Sequence, residues 1–257
     1  MFGDSGSTIR AILGLTNNEI QTLHEDSLKG VTVNGQIRLR DNKLVLFPSK
    51  ALERQDPRVL ELRNNQIPSI PVGWLDSFKN LRQLFLPDNL ITTLGANLFK
   101  ELKNLEILEL QKNRISVIEP GAFNNLVSLE RLYLYDNQIE FLPTFPELKK
   151  LQDLSLKNNK IENLGQQCFN KLPGLQKLKL AGTNQFACDC NVYDSIVTVI
   201  DTLISSEAAV CRTPSQTAGA KFYPGGSYES FYRQRFLCSK ISLIKQISVN
   251  NYKFTYI

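Results

Sequence analysis

Residues 105–115 read LEILELQKNRI. Leu105, Leu108, Leu110 and Ile115 are its apolar positions, and Asn113 is its one fixed polar position. Neither a period of 2 nor a period of 3.6 produces this spacing. The segment reads as a short strand that turns sharply at an asparagine. Such a unit cannot bury its own leucines, so it has to stack on copies of itself. The copies are LRQLFLPDNLI from Leu81, LERLYLYDNQI from Leu129 and LQDLSLKNNKI from Leu151. Weaker copies end at Ile20, Leu44 and Ile67, and a last, irregular one, LQKLKLAGTNQF, spans Leu175 to Phe186. The asparagines fall at Asn18, Asn42, Asn65, Asn89, Asn113, Asn137 and Asn159, in steps of 24, 23, 24, 24, 24 and 22 residues.

A single compact core would be near its upper size for 257 residues, whereas a solenoid meets no such limit because each coil packs only on its neighbours. The net charge of +5 is modest and does not imply nucleic-acid binding. No run approaches 18 consecutive apolar residues, so no transmembrane helix is predicted. The opening residues, MFGDSGSTIR, contain no apolar segment of the secretory-signal kind. Four of the five cysteines, Cys188, Cys190, Cys211 and Cys238, gather late in the chain, as in disulfide frameworks of oxidising compartments. Those two observations are reconciled if the chain is a fragment or lacks its true N-terminus. The sequence alone leaves three pairings open for the four cysteines.

The repeats resemble the leucine-rich repeat family, in its extracellular type of about 24 residues per coil. The resemblance covers roughly residues 9 to 238. It implies an α/β fold: a right-handed horseshoe solenoid of about eight coils, with one parallel strand per coil lining a concave face. The segment FACDCN, with Cys211 and Cys238 after it, resembles the cysteine-rich C-terminal cap of that family's extracellular members. The cap implies the pairs Cys188–Cys211 and Cys190–Cys238. Here the usual N-P-F before the cap is N-Q-F, and Asn184 sits one residue late, which predicts a distorted approach to the cap. The domain reading is an uncapped lead at 1–8, repeats at 9–185, the cap at 186–238 and a tail at 239–257.

Within each coil the seven asparagines are expected to form a ladder, because a side-chain amide both donates and accepts hydrogen bonds. Ten residues after a ladder asparagine stands Phe99, Phe123 or Phe169, or a leucine in earlier coils, which predicts a stacked apolar spine on the returning side. The coil from Leu129 returns through Pro143 and Pro146 without such a residue at that spacing, and its 22-residue step predicts sharper local bending. Cys168 occupies the place of Ala122 in the preceding pattern and reads as a small buried residue behind the spine.

Enzyme signals are poor. The one histidine, His24, lies in a return loop, and there is no phosphate loop, nucleophile elbow or H-E-x-x-H. No catalytic residue, metal ligand or cofactor is assigned. Binding chemistry is expected between the leucines, where alternate side chains point outward from the strands. The middle coils display Phe85, Ile107, Tyr133 and Tyr135, rimmed by Glu109, Arg131 and Asp136, as a protein-binding patch. Basic residues stand at both ends of the face, as Arg38, Arg40 and Arg63, and as Lys157, Lys177 and Lys179. The expected function is non-enzymatic extracellular recognition of a protein ligand or co-receptor, with innate-immune or cell-surface receptor signalling as its setting, as in Toll-like receptor ectodomains and secreted relatives. A structural scaffold of the extracellular matrix or of adhesion is the alternative, and a cytosolic enzyme regulator is a third reading.

Overall fold

The computed structural model describes residues 7–9, 12–165, 167–187, 195, 209–211 and 221–222. The chain opens with strands β1 (Ser7–Ile9), β2 (Ile12–Gly14), β3 (Val31–Val33) and β4 (Gln36–Arg38), then one helical turn, α1 (Ser49–Leu52). Strands β5 (Val59–Glu61), β6 (Gln83–Phe85), β7 (Thr93–Leu94), β8 (Ile107–Glu109) and β9 (Val117–Ile118) follow. Next are β10 (Arg131–Tyr133), β11 (Phe141–Leu142), β12 (Asp153–Ser155), β13 (Asn163–Leu164) and β14 (Lys177–Lys179). The last are β15 (Gln185–Phe186), β16 (Ala209–Cys211) and β17 (Lys221–Phe222).

One strand per coil joins an eight-stranded sheet, ordered β2-β4-β5-β6-β8-β10-β12-β14, and each pair whose register is resolved is parallel. The register repeats without slippage: Leu60, Leu84, Leu108, Leu132, Leu154 and Leu178 lie side by side. All six are fully buried. Burying each leucine contributes on the order of 1.5–3 kcal/mol, and each can do so only because a neighbouring coil covers it. On the return side, β7 pairs with β9 and β11 with β13. The remaining return halves are turns rather than helices, α1 being the one helix longer than a residue among the described residues.

The asparagine ladder forms as the repeat requires. Asn113 Nδ2 donates to the Leu86 carbonyl of the coil before it at 2.9 Å and to Leu110 of its own coil at 3.1 Å. Its Oδ1 accepts from the Ile91 amide at 3.0 Å. Asn42, Asn65, Asn89, Asn137 and Asn159 repeat the pattern. Asn18 is a half rung: it is exposed and bonds only to Leu15 and Thr16 of its own coil. Asn184 is an eighth rung that the spacing argument leaves out. It donates to Leu156 at 2.9 Å and accepts from the Ile161 amide at 3.0 Å. Its extra residue is absorbed locally, since its own-coil bond reaches back four residues to Leu180 where the other rungs reach back three. Gly182, at a φ of +92°, stands in this turn, where a Cβ would run into Asn158 Oδ1.

Stacked phenylalanines fill the return side. Phe99 and Phe123 lie 6.3 Å apart, Phe123 and Phe145 5.5 Å, and Phe145 and Phe169 6.2 Å. Neighbouring strands of a sheet are about 4.8 Å apart, so the return side is the longer one and the sheet lines the inside of the curve. Phe145 completes the column from eight residues after Asn137, where the ten-residue rule falls on Glu147. The ring spacing is smallest between Phe123 and Phe145, where this shortened coil enters the column. The coil that follows accommodates this shortening at two glycines. A Cβ on Gly165 would meet the Thr144 amide nitrogen at 2.7 Å, and one on Gly174 the Lys149 carbonyl at 2.5 Å.

At the N-terminal side Ile12 is about half exposed, while Leu13 and Leu15 pack partly against the core. The strand Ser7–Ile9 begins within the stretch read as a lead and pairs in parallel with Val31–Val33. At the other side β15 pairs with β16, which sets Cys211 beside Phe186 in register. The Ser195 hydroxyl accepts from the Cys168 amide at 3.1 Å and donates to the Gly165 carbonyl at 3.2 Å, tying the segment after the repeats to the last coils. Cys188, Cys190 and Cys238, and with them both expected disulfides, lie outside the described residues.

A candidate recognition face

The strand register turns the repeat positions into rows across the concave sheet. One row reads Arg38, Glu61, Phe85, Glu109, Tyr133, Ser155 and Lys179. The next reads Gln36, Val59, Gln83, Ile107, Arg131, Asp153 and Lys177. Phe85, Glu109 and Tyr133 therefore stand on three consecutive strands, and Ile107 is directly beside Arg131. Tyr135 lies two residues beyond Tyr133, their rings 6.4 Å apart and tilted by 55°. Asp136 belongs to the turn: its φ is +56°, and one carboxylate oxygen accepts from Asn158 Nδ2 at 2.7 Å.

Phe85, Ile107, Glu109, Tyr133 and Tyr135 are half-buried and Arg131 is exposed. Two neighbours that the spacing argument leaves out of the patch cover its aromatics. The Arg63 guanidinium sits 5.4 Å from the centre of the Phe85 ring. The Tyr133 hydroxyl donates to Asp153 Oδ2 at 3.3 Å. Burial first, and then the Asp153 carboxylate, push the Tyr133 phenol above its ordinary value. Both contacts join one coil to the next, so only the register reveals them. The largest exposed apolar side chains of the described residues are mostly elsewhere, on the return half and its flanks, among them Leu46, Val72 and Val127.

The face also holds most of the described residues' unmet polar atoms. Six side-chain polar atoms are shielded from water without a hydrogen-bond partner, and five belong to face residues: Arg38, Arg40 and Arg63 (each through Nε), Gln111 and Asp153. Gln111 donates to Glu109 at 3.1 Å, yet its own Oε1 accepts nothing. Each such group calls for an explanation, an ordered water or ion among them.

Cys168 is fully buried, its thiol 3.3 Å from the Pro143 carbonyl, and burial pushes its pKa far up. It is a packing residue, as its place behind the spine implies. His24, Glu25 and Asp26 bring three metal-type donors within 4.8 Å of one another, but all are exposed. His24 Nδ1 already accepts the Asp26 amide at 3.2 Å, so this is a surface turn and no built ligand set. No helix among the described residues is long and apolar enough to cross a membrane.

The family described as leucine rich repeat matches residues 57–114, 80–139 and 142–186. A solved leucine-rich repeat protein of Leptospira interrogans is 30% identical, with a TM-score of 0.56 over 71% of this chain and 46% of its own. The chain thus spans less than half the length of that relative. No curated protein matches it in sequence. Ladder, register and family match converge on one statement: this is a leucine-rich repeat protein, its coils stacked around a parallel sheet whose outer rows face the inside of the curve.

Proposed function

We propose that the chain is a non-enzymatic extracellular recognition module that holds a protein ligand on its concave face. The observation that carries this reading is the alignment of Phe85, Glu109 and Tyr133 on consecutive strands, with Ile107 and Arg131 in the adjacent row. Adjacent strands are about 4.8 Å apart, so apolar, acidic and basic groups alternate within roughly 10 Å. That grain suits a folded or extended polypeptide, whose own side chains vary on the same scale. Aromatic side chains rimmed by charge also form the energetic centre of many protein interfaces. Repeat solenoids offer such curved surfaces because each coil adds one strand to a common sheet.

A displayed library of random dodecapeptides, selected against the full chain, tests the proposal. Selected peptides should bind the Tyr133→Ala/Tyr135→Ala variant at least about tenfold more weakly. Unchanged affinity in a variant with a native circular-dichroism spectrum would refute the patch. The extracellular part of the reading rests on the cysteine-rich segment. Mapping of unreduced peptides should recover Cys188 linked to Cys211 and Cys190 linked to Cys238. Recovery of all four as free thiols in protein secreted by an oxidising host would remove that support. A setting in innate immunity or receptor signalling is an extension of this reading, suggested by the resemblance of repeat and cap to Toll-like receptor ectodomains.

A further inference from the structure

We propose that Arg38, Arg40 and Arg63 form a carboxylate-recognition site at the β4–β5 end of the concave face, which seats an acidic residue of an extended partner segment. The inference rests on the recognition reading above and specifies the partner's chemistry. Arg38 and Arg40 of one coil pair with Glu61 of the next, whose side chain is 14% exposed, and Arg63 stands two residues beyond it on the same strand side. Arg38 Nε is 3.3 Å from one Glu61 oxygen and Arg40 Nε 3.9 Å from the other. Among the described residues Asp41 is the one further acid within 4.0 Å of these arginines, 3.8 Å from Arg40, and it also accepts from Asn64 Nδ2 at 3.0 Å. The local balance is therefore three positive charges against two negative ones.

Hydrogen-bond capacity is more lopsided still. Each guanidinium brings about five N–H donors, while a carboxylate offers about four acceptor positions. Arg38 spends one donor on Gln36 Oε1 at 2.7 Å. The Nε atoms of all three arginines are shielded from water, two of them facing Glu61, so an arriving carboxylate would meet the outer guanidinium nitrogens. Arg63 is held against the Phe85 ring, so its planar fork is partly ordered before anything arrives. The donors left over suit a further carboxylate, which arginine binds in a two-point mode that lysine cannot match.

The neighbouring strands decide between a peptide and a polyanion. Beyond Phe85 the face turns to Glu109, and further on to Asp153. A nucleic acid or sulfated glycan would bring repeated negative charge against both. A peptide with one acidic residue followed by an apolar one meets the arginines first and Phe85 and Ile107 next. The step from β5 to β8 is about 10 Å, and an extended chain covers roughly 3.3 Å per residue. The acidic and apolar residues should then lie about two to four positions apart.

The peptides selected against the full chain provide the test, measured on wild type, on Arg40→Gln/Arg63→Gln and on Tyr133→Ala/Tyr135→Ala. The expected result is enrichment of Asp or Glu at that spacing from an apolar residue. Affinity should also fall about tenfold or more in the arginine variant. Selected peptides without acidic enrichment, or with affinity kept in the arginine variant but lost in the tyrosine variant, overturn the carboxylate site and leave the recognition reading standing. Affinity unchanged in both variants overturns both. A heparin-derived octasaccharide that outcompetes the peptides and depends on the same arginines overturns the assignment to an acidic peptide. If the glutamine variant loses its native circular dichroism, Arg40→Lys decides: charge is kept and the fork is lost, so affinity should still drop several-fold, and an unchanged value counts against the site.

Discussion

Replacing Asn113 with alanine measures what the ladder contributes. The substitution removes donors to Leu86 and Leu110 and the acceptor for Ile91. The two carbonyls keep other partners, because Asn89 still donates to Leu86 at 3.2 Å and Asn137 to Leu110 at 3.0 Å. The buried Ile91 amide is left with nothing. An orphaned buried N–H costs about 1–3 kcal/mol, and the emptied volume adds roughly 1 kcal/mol, so the loss should be about 2–4 kcal/mol. Asn18→Ala is the matched control. That residue is exposed and bonds only within its own coil, so less than about 1 kcal/mol is expected. Asn113→Asp separates the two halves of the amide. It keeps an acceptor for Ile91 but sets a carboxylate oxygen where the amide nitrogen lies 2.9 and 3.1 Å from two carbonyl oxygens. The ionised form is disfavoured there, so the folded-state pKa rises above the unfolded value of about 3.9. For a raised acid the folded state is favoured at low pH, and that advantage is lost above the unfolded pKa. Stability relative to wild type should then fall by up to about 1.4 kcal/mol per pH unit until the folded pKa is passed. Urea denaturation followed by circular dichroism, at about pH 4.5 and pH 7.5, reads both quantities. Equal losses for Asn18→Ala and Asn113→Ala, or an aspartate variant that tracks wild type across pH, would refute the account of the ladder.

Three further substitutions probe the rest of the fold. Phe145→Ala should cost about 3–5 kcal/mol, as for a central ring of a buried stack, and a loss under about 1 kcal/mol would remove Phe145 from the spine. Lys112 holds a φ of +55° at a turn position that its neighbours fill with Asp88 and Asp136, so Lys112→Asn should gain about 0.5–1 kcal/mol in the same assay. In a spectrophotometric titration of tyrosines, Asp153→Asn should bring the Tyr133 ionisation down toward the ordinary range, because a carboxylate that opposes phenolate formation is gone. In wild type that raised value favours the folded state below the unfolded tyrosine pKa, and the advantage fades as pH rises through the folded one. An unchanged titration curve would show that the neighbouring charge has no part in it.

The sequence by itself determined the unit and its stacking. Leucine spacing and the asparagine steps specify coils, and in a solenoid each coil contacts only its neighbours, so a constant spacing translates directly into a constant register. That is why the rows Phe85–Glu109–Tyr133 and Ile107–Arg131 were legible before any coordinates. The tertiary structure decided everything that depends on how long the return half is and how it bends. Phe145 enters the ring column from an unexpected spacing because the shortened coil carries its backbone there, while Gly165 and Gly174 admit the close approach. Asn184 becomes a rung because a four-residue turn at Gly182 absorbs the extra residue. The covering of Phe85 by Arg63 and of Tyr133 by Asp153, like the pairing of Arg38 and Arg40 with Glu61, joins side chains from different coils. Their meeting depends on rotamer and burial, and periodicity encodes neither.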